Sequence, residues 1–429
     1  MRKPCIHRLL HSCLTILFIG IPFGTSYSLT LEEALLLARE NLPSYKAVME
    51  QVKSSEARYR ASFSPYLPSL DATSAHGRVF ASSEEFKRQS YDLSLSYTLF
   101  DWGNRKANRN IARLNLNISE EELRRSILDL ELAVKSAYFT ARTLKEAVEQ
   151  RRIQLRDAEK DYEVAEGRYK FGVAKLSDLL QASVRLEQAK FNLIKTEGNL
   201  KKGLSDLNSL IGKPLQTDHD FDSTSEGEIS LPDVDKLTGI ALQRPEIRQA
   251  EDAIQIRENT KSAIRSTFLP TFSADVSYIN SGGDIIGSLS REEKTATLRA
   301  TWNIFEFGKF LNYRAAELEK NASIENLNEI RRQVSLDVRK TYEDFVTSWN
   351  ELQAAKTQLK QAEHNYAQAF GEYKVGKADI LSLIQAESIL ADSREQLLLT
   401  KLNLLLSKSL LERVAGVSNL ESIGIRATE

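Results

Sequence analysis

Residues 166–182, EGRYKFGVAKLSDLLQA, and residues 370–386, FGEYKVGKADILSLIQA, align without a gap, 204 positions apart. They share Gly-x-Tyr-Lys-x-Gly and, further on, Gln-Ala. The same displacement runs along the whole chain. Pro43 and Pro68 are answered by Pro245 and Pro270, SFSPYLPSL by STFLPTF, and LFDWGNRKAN by IFEFGKFLNY, with an offset that stays between 202 and 205. A near-constant offset over this length is a tandem duplication, so one supersecondary plan is built twice and the two copies must pack together. The units span 29–215 and 232–418, with a linker at 216–231 and a tail at 419–429.

Within each unit the longest feature is an unbroken helical stretch. No Gly or Pro interrupts the 63 residues from Asn104 to Glu166, or the 62 from Lys309 to Phe370. A helix of that size is about 95 Å long, far beyond what a globular core uses. Leu123, Ile127, Leu130, Val134, Ala137, Ala141, Leu144 and Val148 recur at threes and fours. That stripe is narrow, and the remaining faces are charged, which predicts coiled-coil-like packing with solvated flanks. Each unit then reads as a helix (44–63; 246–267), a β-hairpin (69–101; 271–305), a long helix (103–171; 308–375) and a return helix (177–210; 379–414).

The strand segments alternate with period two. In YDLSLSYTLF (91–100), Tyr91, Leu93, Leu95, Tyr97 and Leu99 share one face, while Asp92, Ser94, Ser96 and Thr98 share the other. In TATLRATWNI (295–304), Ala296, Leu298, Ala300, Trp302 and Ile304 oppose a polar face. About ten residues is the length a tilted strand needs to cross a bilayer. The polar side is hydroxyl-rich, as in a wet lumen, and aromatics sit toward the ends of the apolar side. Tyr91, Leu93, Leu95, Tyr97, Leu298 and Trp302 are therefore expected to face lipid, with polar loops at 81–90 and 281–294. Four strands cannot close a barrel, and open edges are not tolerated in hydrocarbon. Several copies must share one barrel: two would give eight strands filled by side chains, three would give twelve and a lumen.

Composition narrows the setting. A basic start (Arg2, Lys3, Arg8), an apolar stretch and small residues before Leu29 predict a secretory signal at 1–28. Cys5 and Cys13 both lie inside it, so the mature chain is expected to lack disulfides and thiol-held metal. Loss of the three basic residues leaves 55 of the 58 Lys and Arg against 59 Asp and Glu, a net charge of −4. That balance gives no reason to expect a nucleic-acid partner. His76, His219 and His364 are scattered, and no phosphate-cradling or nucleophile motif occurs, so no enzyme activity, cofactor or metal is expected. The segment TDHDFD (217–222) lacks the glycine and closing glutamate of a calcium loop and reads as a solvated loop.

Taken with this doubled order, SPYLPSL, YTLFDWGNRKANRNIA with its echo WNIFEFGKFLNYRAAE, and the two Tyr-Lys-x-Gly stretches resemble the TolC-type outer-membrane efflux proteins over essentially the whole mature chain. The resemblance implies a mainly α fold with transmembrane β-strands. In it a homotrimer closes a twelve-stranded β-barrel in outer-membrane lipid, continued by a periplasmic α-barrel and girdled at mid-height by 29–45, 199–245 and the tail. It also implies a passive channel in a tripartite efflux or type I secretion system, docked by a periplasmic adaptor to an inner-membrane transporter of the RND or ABC type. The glycine stretches would be the periplasmic tips. Tyr169, Lys170, Gly172, Ser177, Tyr373, Lys374 and Gly376 are then expected to meet the adaptor, with Ser177 or Asp379 capping the return helices. Many members carry paired aspartates after the second tip, constricting the aperture. Here Ser382 and Gln385 stand in their places, leaving Asp178 and Asp379 as the nearby carboxylates. Weak block by multivalent cations is therefore expected. Two other readings remain at this stage: a coiled-coil structural protein of the envelope with a soluble hairpin, or the periplasmic adaptor itself. Whether helices cover the apolar strand face separates them.

Overall fold

The computed structural model describes residues 28–81, 84–222, 233–283, 291–374, 377–378 and 380–420. Most of the expected signal, and parts of the linker, tail and second tip, lie outside these residues. The elements follow one order twice. The first unit has α1 (Leu31–Asn41), α2 (Pro43–Ala61), β1 (Ser69–Ala81), β2 (Glu84–Phe100), α3 (Asn104–Lys170) and α4 (Leu176–Ile211). The second has α5 (Val234–Ala241), α6 (Pro245–Ser266), β3 (Thr271–Gly283), β4 (Arg291–Thr301), α7 (Phe307–Lys374) and α8 (Ile380–Ala415). Proline opens α2 and α6, where its missing N–H costs nothing. Gly212 in the left-handed conformation (φ 72°) ends α4, and Gly416 (φ 79°) follows α8.

The helices pack as two antiparallel hairpins, α3 with α4 and α7 with α8, joined along α3 and α8 and flanked near the strands by α2 and α6. The duplication is visible in the core itself. Leu130, Val134, Ala141, Val148 and Ala158 are buried on α3, and Val334, Val338, Phe345, Leu352 and Ala362 are buried on α7, each pair 204 apart. Val134, Ala141 and Val148 fall seven apart, as do Val338, Phe345 and Leu352, the spacing of a coiled-coil seam. At mid-height the hairpins are bolted together. Lys135 Nζ of α3 lies 2.6 Å from Glu412 Oε2 of α8 and donates to Ser418 O, also at 2.6 Å. Arg413 reaches Asp129 at 2.7 Å and Glu246 at 3.0 Å, tying α8 to both α3 and α6.

Segment 217–222 is a loop with Asp218 and Asp220 exposed, but it is also anchored to α3. Lys145 Nζ donates to His219 O and to Asp220 Oδ1 (2.6 and 2.9 Å), and Phe221 sets its ring edge-on to Tyr138 with centroids 5.3 Å apart. Its carboxylates serve a lysine, and no group of acids or histidines placed to hold a metal occurs among the described residues.

The strands form one antiparallel sheet in the order β1-β2-β3-β4. They are longer than the sequence indicated. The charged stretch expected as a loop at 81–90 is largely strand, since Glu84–Ser90 pair with Ala75–Ala81, and Arg291–Lys294 likewise belong to β4. In the other direction β4 stops at Thr301, so Trp302 and Ile304 lie beyond it. Trp302 instead donates from Nε1 to Phe268 O at 3.0 Å, as Trp102 does to Pro270 O at 2.8 Å.

Candidate functional site

Register converts alternation into a surface. Leu70 pairs with Leu95, Leu95 with Val276 and Val276 with Ala296, so one apolar row crosses all four strands. The neighbouring rows are Ala72–Leu93–Tyr278–Lys294 and Tyr97–Ala274–Leu298, and Phe100–Phe272–Ala300 closes the band below. From Phe100 to Tyr91, the aromatic at the upper rim whose row otherwise holds Ser74, Asn280 and Glu292, is nine residue steps. At about 3.4 Å per residue and a tilt of about 40° that spans about 23 Å, close to the ~25 Å apolar band of an outer-membrane barrel. Tyr91, Leu93, Leu95 and Leu298 are exposed, Leu298 at 80%, and no helix is substantially packed against the sheet. Tyr97 is half-buried, with the Arg105 guanidinium 6.0 Å from its ring centre. The opposite face carries Asp71, Ser94, Ser277 and Thr295 in one row and Ser69, Ser96, Asp275 and Thr297 in the next. Among the described residues β1 and β4 each have a single partner, which leaves both outer edges open. Among the described residues no helix is long and apolar enough to cross a membrane.

Below the band each repeat ties the start of its long helix, with one cation, to chain at the sheet's lower margin. Arg105 pairs with Asp101 at 3.0 Å and donates to Thr98 O (2.7 Å) and Pro65 O (3.1 Å). Its counterpart 204 residues on, Lys309, donates to Thr267 O at 2.9 Å and Asn303 O at 3.4 Å. Carbonyls freed where strand turns to helix thus find charged donors, which make the stronger hydrogen bonds.

At the other end, Gly172 (φ 75°) turns the chain between α3 and α4, its N–H reaching Tyr169 O at 2.9 Å. Ser177 is not the cap. Lys175 occupies the cap position, and Asp178 accepts its backbone N–H at 3.3 Å, while Ser177 Oγ donates to Asp178 at 3.1 Å. Asp178 sits in the first turn because its negative charge suits the helix N-terminus. Lys170 is held by Glu166 at 3.0 Å. The two tyrosines in one repeated column diverge. Tyr169 is exposed, beside Phe171 at 87%, whereas Tyr373 lies under Arg168 of the other hairpin, 4.9 Å from its guanidinium. Lys374 ends α7, and Ser382 and Gln385 are exposed on α8. Gly376 and Asp379 fall outside the described residues, and with them the expected second cap.

Sequence reading passed over Arg168, Asp161, Arg185 and Glu387, which bring the two hairpins together near this end. It also passed over Gly212 and Gly416, although their spacing of 204 was a usable signal.

An uncovered apolar sheet face of bilayer height, open at both edges and continued by helical hairpins, defines a channel-tunnel subunit rather than a soluble coiled coil or an adaptor. The Outer membrane efflux protein family model matches residues 34–213 and again 239–417. The chain belongs to that family: it is an efflux channel of the outer membrane, with a large periplasmic part. It is 23% identical over 362 residues to the probable outer membrane lipoprotein SilC of Salmonella typhimurium, covering 81% of this chain and 77% of that protein. To the pyoverdine export outer membrane protein OpmQ of Pseudomonas aeruginosa it is 24% identical over 401 residues, 87% and 82% of the two chains. The crystal structure of CusC superposes with a TM-score of 0.80 at 20% identity, covering 90% of this chain and 92% of that one.

Proposed function

We propose that three copies of the chain close their sheets into one twelve-stranded barrel and act as a passive conduit. A periplasmic adaptor docked at the hairpin tips would couple it to an inner-membrane transporter of the RND or ABC type. The observation that carries this reading is the pair of open edges on β1 and β4 beneath an apolar face. In hydrocarbon each unpaired backbone group costs several kcal/mol, so β1 of one copy must meet β4 of the next. Three copies supply the smallest closed ring with a lumen wide enough for cargo. Extraction of the outer membrane in mild detergent is expected to yield a particle of three chains by native mass measurement; a stable monomer would end the proposal.

For adaptor contact, the exposed Tyr169 and Phe171 offer apolar surface on an otherwise charged tip. A photo-crosslinking residue at position 169 is expected to capture the adaptor, and one at Asn321, near the barrel end of α7, to capture none; equal capture at both would refute tip docking. Aperture chemistry gives a further prediction. With Ser382 and Gln385 exposed on α8 and Asp178 engaged at the start of α4, no dense carboxylate ring is built from these positions. Channels in planar bilayers are expected to need about millimolar divalent cation for half block, since tight binding takes several converging carboxylates. Submicromolar block would contradict this.

A further inference from the structure

Ala107, Leu114, Glu121 and Leu128 stand seven apart on α3, a row along one face of the helix. That face lies against α6. Ala107 and Leu114 are 4% and 6% exposed, and Glu121 meets Arg248 of α6 at 3.5 Å. Beside the row, Asn104 donates to Ala263 O at 3.2 Å and Asn110 to Asn259 at 3.2 Å, while Gln249 of α6 donates to Glu122 at 3.0 Å. The corresponding row on α7, 204 residues on, is Leu311, Leu318, Glu325 and Arg332. There Leu311 and Leu318 are 56% and 52% exposed, and Glu325 and Arg332 are exposed as well.

Elsewhere the two units pack alike, which fixes the correspondence. Between α2 and α6 the offset is 202, set by Pro43 with Pro245 and by Pro68 with Pro270. Arg109 of α3 lies 5.5 Å from the ring centre of Tyr59 on α2, and Lys261 of α6 lies 5.2 Å from that of Tyr313 on α7. These are the same two positions with cation and ring exchanged. The counterpart of α6 is α2, so α2 is the helix that should cover the bare row on α7. Its own chain cannot supply it. There α2 is engaged on the opposite face of α3, through Tyr59 and through Ser55, whose Oγ is 2.8 Å from that of Ser119.

We propose that the Leu311–Leu318–Glu325 row of α7 docks on α2 of the next copy, repeating between chains the α3–α6 seam that joins the units within one. This rests on the three-copy barrel and names a second contact in it. Where β4 of one copy meets β1 of the next, the helix after β4 lies beside the helix before β1. Within the chain α3, which follows β2, lies beside α6, which precedes β3, in the same way. Charge and size both fit. Lys46 is the counterpart of Arg248, so the Glu121–Arg248 pair becomes Glu325 with Lys46 of the next copy, and the signs stay opposite. Leu311 is larger than Ala107, whereas Ser54 is smaller than Ile256 and Ala57 smaller than Asn259, so α2 recedes where α7 is bulkier. Lys46, Ala57 and Ala61 are exposed in the single chain. Three such seams would hold the helices together below the membrane, separately from the strand pairing.

Full-length protein in mild detergent serves for the test, since no cysteine lies beyond Cys13. Asn110 and Asn259 touch within the chain, so N110C/N259C treated with a short bis-maleimide should link internally and run as single chains under denaturing conditions. Their counterparts are Arg314 and Ala57. R314C/A57C should instead run as covalently linked dimers and trimers, and each single variant as single chains. Trimers by native mass whose R314C/A57C chains stay unlinked would overturn the seam and leave the conduit reading standing; a native monomer would overturn both. K46E and E325K, each opposing like charges, are expected to lower the recovered trimer about fivefold, and K46E/E325K to restore it to within about twofold of wild type. A swap no better than the single changes would overturn the pairing of Lys46 with Glu325.

Discussion

An arginine in place of Leu95 is expected to keep the protein out of the outer membrane, while an arginine at Ser94 is expected to leave assembly intact. The two positions are adjacent on β2 but point to opposite faces of the sheet. Leu95 lies between Leu70 and Val276 near the centre of the apolar band, where a lipid-facing arginine costs about 2–4 kcal/mol. Three copies of the change in the proposed barrel would accumulate about 6–12 kcal/mol, comparable with the whole stability of an ordinary domain. Ser94 instead pairs with Asp71, so its replacement would find a carboxylate across the strand pair on the wet face. The trimer band in washed outer membranes measures both. We expect under a tenth of wild-type for L95R and near wild-type for S94R. The same yield for both would mean that the apolar face does not meet lipid.

The second large effect lies at mid-height. K135M is expected to destabilise the helical hairpins by about 3–5 kcal/mol per chain, because it strands Glu412 as an uncompensated buried charge. Both side chains are nearly enclosed, at 10% and 6% exposure, so solvent does little to soften the loss. The double variant K135M/E412Q should recover most of it. Glutamine removes the charge yet can still accept the Leu420 N–H that Glu412 Oε1 accepts at 3.2 Å. The denaturant midpoint of helical ellipticity in detergent checks this. A double variant no better than the single would assign the loss to lysine packing rather than to stranded charge.

Those two sites also mark what the sequence made legible. Leu95 was plain, because a half-buried strand writes its two faces into alternate letters. The long helices were equally plain, from runs without glycine or proline and from a stripe that recurs in the core at 130, 134, 141 and 148. The outer parts of the strands were not. Glu84–Ser90 carry charge on both faces, and a strand that leaves the apolar band loses the alternation that announces it. Trp302 continued the pattern of β4 in letters, but its indole is drawn to Phe268 O below the sheet.

Pairings between hairpins were out of reach for a different reason. Lys135 and Glu412 stand 277 positions apart, and nothing local distinguishes either from dozens of surface charges. The duplication, so useful elsewhere, hid the tip cluster. Asp161, Arg185 and Glu387 have Asn365, Ile389 and Ser183 as their repeat counterparts, none of them charged, so comparing the two units points away from them. Tyr169 and Tyr373 show the same limit: the alignment gives them one role, whereas the fold exposes one and places the other under Arg168.

The cationic stitches at Arg105 and Lys309 have a mechanical consequence. They clamp one end of α3 to β2, and one end of α7 to the end of α6 and the segment after β4, so each helix behaves as a lever with a fixed pivot and a distant free end. A 67-residue helix is about 100 Å long, and a tilt of about 5° at the pivot would sweep its far end through about 9 Å. Small adjustments among the stitched carbonyls are therefore magnified, and the free ends need fastenings of their own to hold any one position.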